Sequence, residues 1–185
     1  MTLTPAPGVA YPRRVWSILT GDANLARYAW TCEHATPRPL LDVGCSWGYG
    51  STLLALRSPG VVAADADPAA CEATARLATA NHATLAVTVA DAYALPFADG
   101  EFPCVCCSEV LEHLQRPGDA LAELVRVCSG TLLVTVPAHG AMRSTVGHIQ
   151  DFAGDALVAM IEAAGARVAE HTIAYPFQYV RADAW

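Results

Sequence analysis

Polar residues able to hold a ligand recur at four places in the chain, each directly after an apolar run. The first is Leu40-Leu41-Asp42-Val43-Gly44-Cys45-Ser46-Trp47-Gly48-Tyr49-Gly50-Ser51, whose glycines let a backbone turn tightly and approach a ligand with no side chain between. The second is Asp65, closing Val-Val-Ala-Ala-Asp, where a carboxylate accepts the two hydrogen bonds that a ribose diol offers. Asp67 lies nearby, but its place before Pro68 suits it to cap the next helix. The third pair, Asp91 and Ala92, supplies an acceptor for an adenine amine and a backbone N–H. The fourth, Ser108-Glu109-Val110-Leu111-Glu112-His113, gathers a hydroxyl, two carboxylates and an imidazole. Glu112 and His113 read equally well as exposed residues in the first turn of a helix.

These anchors need a frame, and the apolar pattern supplies one. Short runs at Pro39–Gly44, Val61–Asp65, Leu85–Ala90, Phe102–Glu109 and Thr131–Val136 read as strands. Between them, helical patterns follow Gly48 to Leu56, then Pro68 to Asn81, and then Gly118 to Cys128. A helix from Asp155 to Ala164 closes at Gly165, and Arg167–Ala174 and Phe177–Ala182 form two last strands split at Pro176. Strands alternating with helices predict an α/β fold: a doubly wound, mainly parallel seven-stranded sheet, helices on both faces, one antiparallel strand near the C-terminus. Residues 1–38 form an N-terminal helical segment capping the site, with Trp16, Leu19, Leu25, Tyr28 and Ala29 as its inward face; residues 39–185 form the main domain. In such sheets ligands bind beyond the carboxyl ends of the strands, which is where all four anchors fall.

Composition removes whole classes of function. A net charge of −7 with no cluster of Arg opposes nucleic acid and anionic membrane. All eleven basic residues are Arg, which excludes a Walker-type phosphate loop, a Schiff base and a lysine base. Seven cysteines with no Cys-x-x-Cys pair, and no Cys/His set at zinc spacing, argue for thiols in a reducing compartment and against a metal. Neither a membrane-spanning run nor a secretory leader is visible, so a cytoplasmic location is expected. Gly44, Gly48 and Gly50 fall at the wrong intervals for Gly-x-Gly-x-x-Gly, which disfavours a nicotinamide oxidoreductase.

Taken together, LLDVGCSWGYGS, VVAADADP, DAYALPFADGEF, SEVLEHL and TLLVTVP resemble the class I methyltransferases that use S-adenosyl-L-methionine, and within them the type 11 family. The likeness is strong from Pro39 to Pro137 and looser beyond. It implies that Asp42, Gly44 and Gly48 hold the methionine part of the cofactor and Asp65 both ribose hydroxyls. Asp91 and Ala92 would take the adenine, while Ser108 or Glu109 borders the sulfonium and the acceptor. Two positions depart from the family pattern: Ser46 replaces a Gly, and Pro103 replaces the Asp after the Phe of DGxF. Both leave room for weaker cofactor binding, and with the short capping segments they motivate an alternative, a non-catalytic cofactor-binding or regulatory protein.

The expected reaction is in-line methyl transfer to a small-molecule acceptor, a sugar or secondary metabolite. A hydroxyl acceptor needs a base, and His113 or His148 is expected to serve, with His139 a third candidate. Only residues 1–38 and Ala138–Gln150 can cover the cofactor. A small pocket, an open site for a bulky acceptor, or a homodimer whose second subunit completes the site all satisfy that restriction. Trp47, in the glycine loop, is expected near the site.

Overall fold

A computed structural model describes residues 4, 7, 25–36, 39–141 and 147–184. The expected inward positions Trp16 and Leu19 lie outside these residues. In chain order come α1 (Leu25–His34), β1 (Leu40–Val43), α2 (Tyr49–Arg57), β2 (Val61–Asp65), α3 (Pro68–Ala80), β3 (Leu85–Val89) and β4 (Phe102–Ser108). A 3-10 turn (Leu111–His113), α4 (Pro117–Val127), β5 (Cys128–Pro137), α5 (Gly154–Ala163), β6 (Arg167–Ala174) and β7 (Phe177–Asp183) follow.

One sheet runs β3-β2-β1-β4-β5-β7-β6, parallel except for β7, which pairs antiparallel with β5 and β6. Both faces are covered, so alternate residues of one strand enter different cores. Leu40, Cys104, Cys106 and Leu133 pack on the face that carries α2, with Ala35 and Leu54. Leu41, Val105, Cys107 and Leu132 point the other way, against Leu121 and Leu124 of α4 and Leu157 and Ile161 of α5. These leucines are fully buried, and each such side chain contributes about 1.5–3 kcal/mol. None of the seven cysteines is in a disulfide; six are buried as small apolar groups.

Register levels the strand ends. Val43 pairs with Ala64 and Cys107, and Ser108 pairs with Thr135. Gly44, Asp65 and Glu109 therefore emerge side by side at the point where chain order reverses about β1, the place an open α/β sheet offers to ligands.

Three expectations shift. The helix expected to run on to Cys128 ends at Val127, and β5 starts there with no loop, three residues before the expected Thr131. Ser129 and Gly130 together stand opposite Pro103, a bulge in the β4–β5 pairing, and a Cβ on Gly130 would lie 2.6 Å from the Pro103 carbonyl oxygen. Pro103, with no N–H to give, thus falls where the ladder is already interrupted. On α1, Ala29 is exposed, and the buried stripe instead carries Arg27 and Thr31. Finally, Glu112 lies in the 3-10 turn and is 1% exposed, so it is not an exposed helical residue.

Candidate functional site

The glycine loop between β1 and α2 is held by backbone geometry. Gly44 has φ +77°, its N–H donates to the Ala64 carbonyl (2.8 Å), and a Cβ there would sit 2.2 Å from a Val110 methyl. Ser46 also has a positive φ, +50°, a conformation that an L side chain adopts at a cost of about 1 kcal/mol. Two bonds fix it: its N–H donates to Asp65 Oδ2 (2.8 Å), and its carbonyl accepts from Thr74 Oγ1 (2.9 Å). Asp42 is nearly buried and accepts from Ser51 Oγ (2.5 Å). Gly50 lies under Tyr28 of α1; a Cβ there would meet the ring at 2.8 Å.

Asp65 uses one lone pair on each oxygen for the chain itself, taking the N–H of Ser46 on Oδ2 and of Asp67 (3.0 Å) on Oδ1. The remaining lone pairs stay available to two hydroxyls. Asp67 caps α3 by accepting from Ala69 N–H (2.9 Å), as its position before Pro68 predicts. Asp91 closes a small turn by accepting from Tyr93 N–H (2.9 Å).

The tip of β4 is locked to α1. Glu109 has φ +59°, and its N–H donates to the Thr135 carbonyl (2.9 Å). Its carboxylate accepts from Thr135 Oγ1 (3.3 Å) and lies 3.5 Å from the Arg27 guanidinium, with both side chains over 90% buried. Arg27 also donates to the Tyr28 hydroxyl (2.9 Å) and stacks over the rings of Tyr28 and Phe177. Burial works against its charge, but the Tyr28 phenol and the carboxylates of Glu109 and Glu112 outweigh it, and the pKa rises. Burial likewise pushes the thiols of Cys45 and Cys107 well up, so neither acts as a thiolate.

His113 and His148, 35 positions apart, meet with ring centroids 4.7 Å apart at 84°. His113 Nδ1 lies 2.9 Å from the Gly147 carbonyl oxygen, and its Nε2 lies 3.9 Å from Glu112 Oε1. His139 instead sits 3.2 Å from Asp151 at a more exposed position.

Two adjoining cavities open here. One, of about 320 Å³, has walls from Asp65, Asp91, Ala92, Val110 and Leu114. The other, of about 310 Å³, is bounded by Arg27, Tyr28, Asp42, Trp47 and Ser108. Gly44, Ser46, Glu109 and His113 line both. Of the ten expected site residues, eight therefore share this space. Gly48 and His148 line neither cavity: Gly48, at φ +83°, turns toward α3, where a Cβ would come within 2.6 Å of Thr74 Cα, and His148 stands against His113. Arg27 and Tyr28 were missed as site residues. Their signal was an Arg in a helix otherwise patterned for burial.

Comparison with known proteins identifies the family and the fold. Residues 41–133, half of the chain, match the family model described as a methyltransferase domain. An uncharacterised methyltransferase of Mycobacterium avium is 32% identical over 120 residues, 63% of this chain and 47% of its own length. A protein of Mycobacterium tuberculosis named as a probable S-adenosylmethionine-dependent methyltransferase is 30% identical over 60% of this chain and 39% of its own length. The chain thus spans about half the length, or less, of these curated relatives. Among solved structures, an S-adenosylmethionine-dependent methyltransferase from Aquifex aeolicus aligns with TM-score 0.78 and 16% identity, covering 95% of this chain and all of the other. Magnesium protoporphyrin IX methyltransferase from Synechocystis, solved with bound S-adenosylhomocysteine, gives TM-score 0.74 and 14% identity over 96% and 90%. The family match covers half of the chain and the strand order is that of the aligned structures: this chain belongs to the methyltransferase domain family.

Proposed function

We propose that the protein transfers the methyl group of S-adenosylmethionine to a small-molecule acceptor, a sugar or secondary metabolite. One observation carries this reading: the tips of four adjacent strands present Asp42, Asp65, Asp91 and Glu109 to two joined cavities, and Arg27 is the only Arg among their described lining residues. That charge balance suits a cationic sulfonium cofactor and is hostile to a dinucleotide's pyrophosphate. The ribose would lie on Asp65, the adenine against Asp91 and Ala92, and the methionine portion over Gly44 beside Asp42. Gly48 supports that loop from behind through its packing on Thr74.

The transfer is a single displacement. An acceptor lone pair forms the new bond to the methyl carbon while the C–S bond breaks and its electron pair returns to sulfur. The protein aligns the three atoms. The rigid tip at Ser108 and Glu109, tied to Thr135 and Arg27, does that beside the shared wall of the cavities. His113 and His148 form the acceptor end, where a hydroxyl acceptor gives up its proton. With the cofactor seated, the remaining space admits little more than the reacting end of an acceptor, with Trp47 and Tyr28 as stacking surfaces. Among the described residues, no helix is long and apolar enough to cross a membrane.

The test is transfer of labelled methyl from S-adenosylmethionine to a panel of sugars, phenols and amines. Product on one class, reduced at least tenfold in His113→Gln or His148→Gln, supports the reading. Tight cofactor binding with no transfer to any acceptor would favour a regulatory cofactor-binding protein.

A further inference from the structure

We propose that Glu112, His113 and His148 form a binding site for one transition-metal dication of the zinc type. Their donor atoms all lie within 4.8 Å of one another. Two imidazoles and one carboxylate are a known zinc-binding set that leaves a fourth position open. The sequence conceals it, because Glu112-His113 and His148 lie on separate segments with no ligand spacing between them.

The surroundings prepare each donor. The Gly147 carbonyl only accepts, so at 2.9 Å it fixes a proton of His113 on Nδ1 and turns Nε2 toward Glu112. A carbonyl behind a ligating His is the usual second partner that sets its tautomer and aim. Gly147, at φ +90°, makes the approach feasible. The carbonyl of Glu112 accepts the N–H of Ile149 (2.8 Å) and of Gln150 (3.1 Å), and Gln150 Nε2 donates to the Leu114 carbonyl (3.1 Å). These bonds stitch the segment carrying His148 onto the turn carrying the other two donors. The carboxylate of Glu112 is 1% exposed, so its position beside His113 is fixed by packing.

The donors stand near coordinating distance but must close in: the set spans up to 4.8 Å, against roughly 3.3 Å between donors on a tetrahedral ion. Two imidazoles on one ion at the usual Zn–N length place their ring centroids roughly 5 Å apart, against 4.7 Å here. Tetrahedral donors sit roughly 3.3 Å apart, against 3.9 Å between His113 Nε2 and Glu112 Oε1. The ring of His113 is a wall of both cavities, so a bound ion stands at the edge of the acceptor space. This deepens the acceptor-end role given above and rests on it for its consequence. An ion held there would take the two imidazoles as ligands and would supply Lewis-acid chemistry at the acceptor end.

The experiment titrates untagged protein with Co²⁺ and reads visible d–d absorption, with Zn²⁺ as competitor. Saturation at one equivalent without thiolate charge-transfer bands, displaced by Zn²⁺ and weakened at least tenfold in both His148→Ala and His113→Gln, is the expected result. Absence of saturable absorption, thiolate bands, or affinity within threefold of wild type in both variants would overturn the site. Glu112→Gln risks misfolding because the residue is buried, so the partly exposed histidines carry the test. S-adenosylhomocysteine binding in chelator is measured in parallel: its failure would overturn the cofactor reading, while failure of cobalt alone removes only the ion.

Discussion

Replacing Asp65 with Ala removes one carboxylate whose work divides cleanly between fold and ligand. In the protein it accepts two backbone N–H groups, from Ser46 and Asp67, both at exposed sites where water can substitute. Their loss costs at most about 1 kcal/mol, equivalent to about 2–4 °C in melting temperature for a chain of this size. Toward the ligand, the same group would accept two ribose hydroxyls through charge-assisted bonds worth about 1.5–3 kcal/mol each. The sum, about 3–6 kcal/mol, converts to a 10²- to 10⁴-fold loss of affinity. Calorimetric titration with S-adenosylhomocysteine, beside a thermal melt, measures both effects. Wild type should also discriminate against a cofactor analogue lacking the 2′-hydroxyl, and Asp65→Ala should not. Binding within threefold of wild type, or unchanged discrimination in the variant, refutes the assignment of the ribose to this strand tip.

Two glycines separate loop strain from helix packing. Gly44→Ala combines a left-handed backbone with a contact of 2.2 Å to a Val110 methyl, about 2–4 kcal/mol, and Val110→Ala should restore part of that stability. Gly48→Ala meets the backbone of Thr74 at 2.6 Å, so a comparable loss should not be rescued by Val110→Ala; melting curves of the double variants decide. At acid pH, the side-chain hydrogen bonds from Arg126 hold the Glu123 carboxyl below its ordinary value. That contribution is full above the unfolded pKa, about 4.3, and fades as pH falls through the folded one. Arg126 also binds the carbonyls of Leu95 and Phe97, so Arg126→Ala should lower stability by about 1–3 kcal/mol at pH 7 and by less at pH 3, read by urea unfolding at both.

Local signals carried far where local physics decides. Asp67-Pro68 marks the start of α3 because a cap and a fixed φ both belong there, and Gly165 ends the helix region at φ +102° because few other residues adopt that angle. The four anchors were legible because a strand followed by small or acidic residues is a pattern within ten positions. The junction of α4 and β5 was not, since Cys128-Ser129-Gly130 resembles a turn until its pairing with β4 across the Pro103 bulge is known. Arg27 escaped notice for a related reason. Its partner Glu109 lies 82 positions away, so the helix pattern could hint that Arg27 is buried but not which carboxylate receives it. The burial of Glu112 and the meeting of His113 with His148 likewise depend on how the segment after β5 folds back, a long-range event.

The central position of β1 has a consequence for biosynthesis. It is made first among the described strands, yet its second neighbour, β4, begins about sixty residues later. As the chain leaves the ribosome, β1, β2 and β3 can pair, while the far edge of β1 shows unpaired peptide groups flanked by Leu40 and Leu41. Such an edge is sticky toward other nascent chains. A truncation after β3 should therefore aggregate rather than persist as a half-sheet, and the tip of β4 that completes the ligand walls forms only when that edge is closed.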